Sequence, residues 1–427
     1  MFLDPHADTV VKIKEFLGDE ADRIWEINLG DSTAKLQAAW NPFSMEGMSR
    51  RHVEGKVSAV VDSFTQALNW GEVNNRALTL TTMTAQALCE LVLVLPPELA
   101  PTIFQMATLL SNEDWRAAVL PYVSAPVRDF FNDRFPKLAA DAITPVTNLI
   151  DRIRSSDTVA ALLGSPKSTY DIRKAMDDGK IVLWSTAGTG AWSTLVTCFI
   201  TYDLFRGAMS RADVAFEQRR PFWAFIDELQ RISGKGSGSA GESVARALEE
   251  SRKMGLRLLL MSQRPGRLAQ PTIDSILTNR SHLLSHIVDA DSAKTLAREF
   301  GAGCDPNVFT TLPKYHFVAQ VTHDDALTTP FIVRGFNPDD LWADVRNIDT
   351  KPIDVAINVN LSRRPVRQTL RALATHDANI VAWLDANRRA SRRTQHEQGT
   401  VLAVVDDDDE PTRHGAASVS PIRGPRR

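Results

Sequence analysis

The chain has 427 residues, of which 43% are hydrophobic and 24% charged, and its formal net charge is −3. These proportions are typical of a globular protein with one large domain or about two to three smaller ones, and they give no global sign of nucleic-acid binding. The three cysteines (Cys89, Cys198 and Cys304) form no CxxC pair, which argues against a disulfide framework or a zinc site. We find neither a signal-peptide pattern nor a run of about 18 apolar residues, and we predict a cytoplasmic protein that reaches a membrane only through partners.

The first residues, 1–8, resemble the end of a strand followed by a turn. Residues 9–17 have helical apolar spacing, and 23–28 are typical of a strand. Residues 1–49 therefore predict strand–helix–strand, the unit of a parallel sheet. A domain rarely begins at the last turn of a core strand, so we expect that the chain starts inside a domain whose first elements are missing. The alternative is a short edge strand.

From residue 50 to residue 178 the pattern is helical. Apolar residues recur at intervals of three and four, and prolines separate the successive segments. We predict an all-helical insertion domain whose apolar stripes serve packing.

Strand character returns over residues 179–345, which we predict to be the main core. The strands are expected at 180–185, 221–227, 256–262, 281–287, 315–321 and 330–334, with helices between the first members. This alternation predicts an α/β fold with an open, mostly parallel sheet and helices on both faces. Residues 233–241 have the composition of a mobile loop.

The last part, 346–427, is predicted to be a linker, a basic helix and a tail. Residues 378–394 suit an amphipathic helix with four arginines at its end, and 406–410 form an acidic run. We predict 395–427 to be disordered, as a solvated tail or as a tail that binds nucleic acid or a partner.

One strand carries the strongest chemical signal. The apolar run 221–226 leads directly into Asp227 and Glu228, and it is typical of a strand buried on both faces. Its carboxyl end lies where open α/β sheets bind ligands. In nucleotide-driven motors the first acid holds Mg²⁺ through water, and the second polarises the attacking water. The alternative is a strand that ends in a solvated acid pair.

A nucleotide motor also needs a phosphate loop of the form G-x-x-x-x-G-K-[ST], and the chain has no match. Gly188–Thr194 lies between a strand and a helix but lacks the lysine, so we interpret it as a tight turn. Gln263 follows the strand expected beside 221–227 and could sense a γ-phosphate. Arg252 and Arg280 are candidates for an arginine finger that reaches a neighbouring subunit, although for each a surface or salt-bridge role is the alternative.

Several segments together carry a family resemblance. Residues 250–256 (ESRKMGL) and 262–265 (SQRP) resemble the "E-x-R-K-x-G-l … s-Q-r-P" segment of HerA/FtsK-type motor ATPases, and most closely the TraG/TraD coupling proteins of conjugative DNA transfer. Residues 222–228 are similar to their Walker B strand. Residues 4–8 (DPHAD) resemble their D-P-H-G-D turn, with Ala7 in place of the usual glycine, and Asn41-Pro42 resembles their N-P-L turn.

The resemblance covers roughly residues 1–335 and implies a P-loop NTPase-like fold of the RecA/ASCE type. It also implies ATP and Mg²⁺ as cofactors, Asp227 for the metal, Glu228 as base and Gln263 as sensor. DNA, single- or double-stranded, would be the partner of a homo-oligomeric, hexameric ring that contacts relaxosome or secretion-channel proteins. In that family the Walker A loop precedes the D-P-H-G-D strand, so this chain begins after the loop.

We therefore predict a truncated, ATP-driven DNA-translocating motor of the conjugative or type IV secretion coupling class. It is unable to bind ATP normally unless a Walker A loop is supplied. We expect a misplaced start or a gene fragment, with an in-frame G-x-x-G-x-G-K-[ST] a short distance upstream. The alternatives are a non-catalytic, degenerate ATPase that serves as a DNA-transfer adaptor or partner-binding subunit, and a HerA-like DNA-processing or packaging ATPase.

Overall fold

The computed structural model describes residues 1–70, 75–187, 190–234, 239–263, 265–301 and 303–405. Packing divides the chain into two compact units, Met1–Ile380 and a second that begins at Val381. The four-part division expected from the sequence stays a prediction.

In chain order, the described residues form the strands β1 (Phe2–Asp4), β2 (Ile24–Asn28), β3 (Leu36–Gln37), β4 (Ile181–Ser185), β5 (Phe222–Ile226), β6 (Leu256–Leu260), β7 (His282–Ser285), β8 (His316–His323), β9 (Ala326–Leu327), β10 (Phe331–Arg334) and β11 (Arg364–Pro365). The α-helices are α1 (Asp8–Lys14), α2 (Val53–Leu68), α3 (Asn75–Val92), α4 (Phe104–Ser111), α5 (Glu113–Val119), α6 (Ala125–Asp129), α7 (Thr144–Arg154), α8 (Asp157–Leu163), α9 (Ile172–Asp177), α10 (Ala191–Met209), α11 (Ser239–Ser251), α12 (Gln270–Asn279), α13 (Ala290–Phe300), α14 (Pro306–Thr310), α15 (Pro338–Leu341), α16 (Lys351–Asn360) and α17 (Val366–Val405).

A five-stranded sheet in the order β2-β4-β1-β5-β6 organises the first unit, and all its neighbouring strands run parallel. The fold class expected from the sequence is thus confirmed. The first strand is not an edge strand, because β1 lies between β4 and β5 in the middle of the sheet. All five carboxyl ends meet at one edge, which we call the carboxyl edge.

An aromatic cluster joins this sheet to the helices on one of its faces. Trp184 of β4 is fully buried, and its ring lies 5.4 Å from that of Tyr170 and 5.9 Å from that of Trp40. Trp40 also packs edge-on against Phe199 of α10, at a centroid distance of 6.4 Å. Large buried rings of this kind stabilise a core through the apolar area they remove from water.

Helices α2–α9 occupy the region that was predicted to be helical. Helix α2 packs against α3 and α10, which connects this region to the sheet domain. The Asn41-Pro42 turn holds the two together locally, because the buried Asn41 amide donates to Pro101 O at 2.9 Å and to Pro166 O at 3.1 Å.

Residues 281–335 depart from the prediction that all strands after 180 join one sheet. Strands β7, β8 and β10 form a separate antiparallel sheet, with β9 paired to β8. The turn between β8 and β9 holds Asp324 and Asp325 at φ 46° and 59°. Two consecutive residues with positive φ make the tight turn of an antiparallel hairpin, not a crossover to a parallel neighbour. Helices α13 and α14 pack on this sheet through Phe300, Phe309 and Val318.

The helix predicted at 378–394 is longer at both ends, since α17 extends over Val366–Val405. The remainder of the predicted tail, 406–427, lies outside the described residues. Among the described residues, every helix is too short or too polar to cross a lipid bilayer.

Candidate nucleotide site at the carboxyl edge

The turn after β1 is built around a buried carboxylate. Asp4 is 1% exposed, and it accepts backbone N–H groups from His6 at 2.8 Å, Thr9 at 3.0 Å and Val10 at 3.2 Å. These bonds cap the first turn of α1, whose amide groups otherwise lack partners. Ala7 lies inside the turn at φ 72° and ψ −22°, in the left-handed region. This position is the one at which the family resemblance has glycine, and the backbone conformation explains the preference.

Asp227 and Glu228 follow β5 in the middle of the same edge. The Asp227 N–H donates to Leu3 O of β1 at 3.2 Å, and the Leu229 N–H donates to Met261 O beyond β6 at 2.9 Å. The acid pair is therefore held between the ends of two neighbouring strands. Both side chains are half-buried.

Glu228 has an unusual backbone for a non-glycine residue, with φ 54° and ψ 48°. Its N–H donates to Asp227 Oδ1 at 2.8 Å. A left-handed residue of this kind costs roughly 1–2 kcal/mol, and such conformations concentrate at functional sites.

Two side-chain amides hold the Glu228 carboxylate. Gln263 Nε2 donates to Glu228 Oε1 at 2.6 Å, and Gln230 Nε2 donates to Glu228 Oε2. The Ser262 hydroxyl donates to Gln230 Oε1 at 2.8 Å and closes the network across β5 and β6. The structure thus places Gln263 beside Glu228, and its role as a γ-phosphate sensor stays a prediction.

Gln230 is a residue of this site that sequence reasoning missed. It lies in the short 3-10 helix Leu229–Arg231, which has one turn. No pattern of residue types marks that turn, although the spacing of two residues from Glu228 could have suggested a contact. Arg231, the next residue, donates from Nη1 to Ser193 Oγ at 3.3 Å and connects the site to α10.

Near β4, the structure describes only some of the residues at the carboxyl edge. The Thr186 N–H donates to Asp4 O at 3.2 Å, and Gly190 precedes α10 with φ 97°. The predicted tight turn at 188–194 includes residues 188 and 189, which lie outside the described residues. Of the predicted loop at 233–241, residues 235–238 are likewise outside them, and residues 239–241 begin helix α11.

The two candidate arginine fingers lie away from the acids within one chain. Arg252 precedes β6, so it is exposed at the opposite edge of the sheet, about 17 Å away for five residues of strand. The Arg280 guanidinium donates to Leu277 O at 3.2 Å and Glu299 O at 2.7 Å, and it lies 3.5 Å from the Glu299 carboxylate. Roles for either arginine in a neighbouring subunit stay predictions.

The donor set suits Mg²⁺ better than a transition metal. No group of three or more His, Cys, Asp and Glu side chains capable of holding a metal exists within the described part of the chain. Mg²⁺ keeps most of its water and needs only one or two protein carboxylates in addition to phosphate oxygens. Asp227 fits this requirement, because one of its oxygens accepts the Glu228 amide and the other makes no hydrogen bond to a described residue.

The site thus consists of adjacent acids at the carboxyl end of an interior strand in a parallel α/β sheet. Among solved structures, the fold is similar to that of the bacterial conjugative coupling protein TrwBΔN70, with a TM-score of 0.50, 14% identity and coverage of 78% of this chain and 77% of that one. The plasmid coupling protein TrwB in complex with the ATP analogue ADPNP aligns with a TM-score of 0.49, 14% identity and 78% coverage of each chain. VirB4 of Thermoanaerobacter pseudethanolicus aligns with a TM-score of 0.49 and 11% identity, and the alignment covers 80% of this chain and 82% of that one. At 14% identity, the likeness to TrwBΔN70 shows the fold alone.

Comparisons by sequence add nothing to this picture. No family model matches the chain, and no curated protein matches it.

Proposed function

We propose that this chain is the ATPase core of a DNA-translocating motor of the conjugative coupling class. The observation that carries the proposal is the Glu228 carboxylate, held by two amides at the carboxyl end of the interior strand β5, directly after Asp227. A solvated acid pair needs no such network and no left-handed backbone. The coupling-protein fold of TrwB supports the same proposal.

Each residue has a distinct role in ATP hydrolysis. Asp227 would hold Mg²⁺ through water, and the bound metal would supply positive charge to balance the charge of the phosphates. Glu228 orients the attacking water and accepts its proton. Gln263 bonds Glu228 and reaches outward from the end of β6, where a second amide hydrogen can report on the γ-phosphate. Gln230 keeps the second oxygen of Glu228 fixed, so the carboxylate is oriented before substrate binds.

The sequence contains no G-x-x-x-x-G-K-[ST], so the proposed hydrolysis requires that a phosphate-binding loop be supplied. Without that loop, the phosphates of ATP are not positioned beside Asp227 and Glu228, and ATP binding is weak. DNA, a hexameric ring and contacts with relaxosome or secretion-channel proteins belong to the same proposal. Their support is the resemblance of the motifs and the name that the TrwB structure bears, a conjugative coupling protein.

A second function is favoured by the same missing loop. A degenerate ATPase that binds DNA or a partner without turnover would keep the sheet and lose the phosphate cradle. A HerA-like DNA-processing ATPase would share the site of the first proposal and differ only in its substrate.

The deciding experiment measures ATP hydrolysis with Mg²⁺ and DNA in a chain to which a strand–loop–helix segment with Gly-x-x-x-x-Gly-Lys-Thr is joined ahead of Met1. We expect turnover that Glu228→Gln lowers by about 100-fold or more, since the base is lost. The matched control is Glu217→Gln, which changes an exposed glutamate outside the site. An absence of turnover in a correctly folded joined chain would favour the adaptor, and equal turnover in the two variants would contradict the role of Glu228 as base.

A further inference from the structure

Helix α16 is apolar on two opposite sides. Ile353 and Ile357 are buried on the side that packs against β2 and the 3-10 helix Gly18–Arg23. Val355 and Val359 each follow one of these by two residues, about 200° around the helix, and they are 66% and 75% exposed. A surface helix normally has one apolar side and one polar side. Packing within this chain therefore accounts for only one of the two apolar sides of α16.

The exposed apolar side continues ahead of the helix. Pro352, in the first turn of α16, is exposed, and Ile348, just before the helix, is 75% exposed. We call Ile348, Pro352, Val355 and Val359 the α16 row. Valine has a lower helix propensity than alanine, glutamate or lysine, so the exposed valines do not serve to stabilise the helix. Contiguous exposed side chains of this kind mark a surface that a partner covers.

Polar contacts fix α16 to the sheet domain. The Asn360 amide donates to Ala21 O at 2.8 Å, which holds the end of α16 on the 3-10 helix Gly18–Arg23. Lys14 of α1 lies between Asp354 Oδ1 at 3.0 Å and Glu26 Oε1 at 2.9 Å, and it links α16 to β2. The α16 row is thus presented by a fixed helix, so a partner orders little of this chain when it binds.

Acidic side chains lie near both ends of the α16 row. Asp344 and Asp349 are exposed in the segment that leads into α16, and Asp19 and Asp22 are exposed in the 3-10 helix that packs on α16. Within the described part of the chain, none of these four carboxylates makes an ion pair. Lys351, which is exposed at the start of α16, offsets one of the four charges. The surface is therefore apolar along α16 and negative around it.

This charge restricts the chemistry of the partner. Carboxylates repel DNA phosphates and anionic lipid headgroups, so neither suits the α16 row. A second copy related by a two-fold axis would place the same four acids opposite one another, which like-charge repulsion opposes. A helix with one apolar side and flanking lysines or arginines matches both the apolar row and the acids.

We propose that the α16 row is a docking surface for a basic amphipathic helix of a partner protein. Helix α16 has 10 residues, a length of about 15 Å, so the two helices can pack over about three turns. The apolar side of the partner covers Val355 and Val359, and its cations lie beside the acids. The proposal goes beyond the ATPase, because α16 packs on β2, at the other side of the sheet from β5 and β6.

The test uses fluorescence anisotropy of a labelled synthetic peptide, Leu-Lys-Lys-Leu-Leu-Lys-Leu-Leu-Lys-Lys-Leu-Leu-Lys-Leu, titrated with the full chain. We expect saturable binding that Val355→Asn/Val359→Asn weakens by about tenfold or more, because two apolar contacts are lost. Ile348→Asn, outside the helix, should weaken binding several-fold without any change in α16. The matched control is Val94→Asn, at a valine that is 41% exposed just after α3, and it should leave binding unchanged. Circular dichroism of each variant checks the fold.

A second peptide, with glutamate in place of every lysine, tests the charge. It should bind about tenfold or more weakly than the lysine peptide at about 50 mM salt, because the acids repel it. The difference should shrink at about 500 mM salt, which screens exposed charges. Asp19→Asn/Asp22→Asn should narrow the same difference at low salt.

Any of four results would overturn the proposal. The first three are an absence of saturable binding to the folded chain up to millimolar lysine peptide, equal affinity of the double valine variant and Val94→Asn, and equal affinity of the two peptides at low salt. The fourth is self-association in analytical ultracentrifugation that the double valine variant abolishes, which assigns the row to a second copy. Failure of the ATPase is separate, because the peptide is titrated without nucleotide.

Discussion

Replacing Ala7 by glycine is predicted to stabilise the turn that closes the carboxyl edge. Ala7 adopts φ 72°, and its carbonyl accepts the first helical N–H of α1, from Val11 at 3.2 Å. An L-residue in this region costs roughly 1–2 kcal/mol, because Cβ crowds the backbone. Glycine removes that cost, but it also raises the conformational entropy of the unfolded chain, which lowers stability by about 0.4–1 kcal/mol. The net expectation is a gain of about 0.5–1 kcal/mol.

The gain should appear locally, in the amide exchange of α1. We expect protection of the Val10 and Val11 amides in Ala7→Gly to rise about two- to fivefold, the equivalent of that free energy. Hydrogen exchange with mass spectrometry measures it, together with the urea midpoint.

The matched control is Ala374→Gly, at an exposed position within helix α17. There glycine relieves no strain and should cost about 1 kcal/mol. The two substitutions therefore have opposite signs. Ala374→Gly is expected to lower amide protection in its own helix. If Ala7→Gly likewise lowers amide protection in α1, the left-handed conformation at residue 7 does not strain the turn.

Three other predictions concern the cap, a buried histidine and DNA. Asp4→Ala should lower the unfolding free energy by about 2 kcal/mol, because three amides lose their acceptor, while the exposed Asp19→Ala has little effect in the same urea titration. Burial lowers the pKa of His376, which is bonded to Ala100 O at 3.1 Å, so the unfolded chain binds a proton first and stability falls as pH drops below about 6.5. His376→Gln should flatten that decline in acid unfolding curves, and His6→Gln, at an exposed position, should not. DNA affinity, measured by fluorescence anisotropy, should fall several hundredfold between 50 and 200 mM salt if about five phosphates are contacted, and a flat response would contradict a DNA-binding role.

The central strand and its acids are predictable because their signal is local. Residues 222–226 are apolar without interruption, and the polar pair follows at once, so strand and site are both visible in the sequence. Gln263 follows the next buried run in the same way. Its contact with Glu228 then depends only on β5 and β6 being neighbours and parallel, which alternation of strands and helices implies.

Other features depend on information that residue types do not carry. The left-handed turn at Glu228 brings Gln230 back onto the carboxylate, but glutamate is not a residue that marks positive φ. The strands at 282–334 have the right composition for the main sheet and join a different one, because a short strand does not specify its partner. The exposure of one side of β5 is a further departure, because its uninterrupted apolar run predicts burial on both faces, whereas Trp223 is 56% exposed.

The most direct test of the account is DNA-stimulated ATP hydrolysis by the chain joined to a phosphate-loop segment, with Mg²⁺ present. Asp227 and Glu228 are the groups that the structure aligns at the end of β5, and Glu228 is the one that two amides orient. We predict turnover that Glu228→Gln lowers by about 100-fold or more and that Glu217→Gln leaves unchanged. Turnover that survives Glu228→Gln would contradict the assignment of this carboxylate as the base.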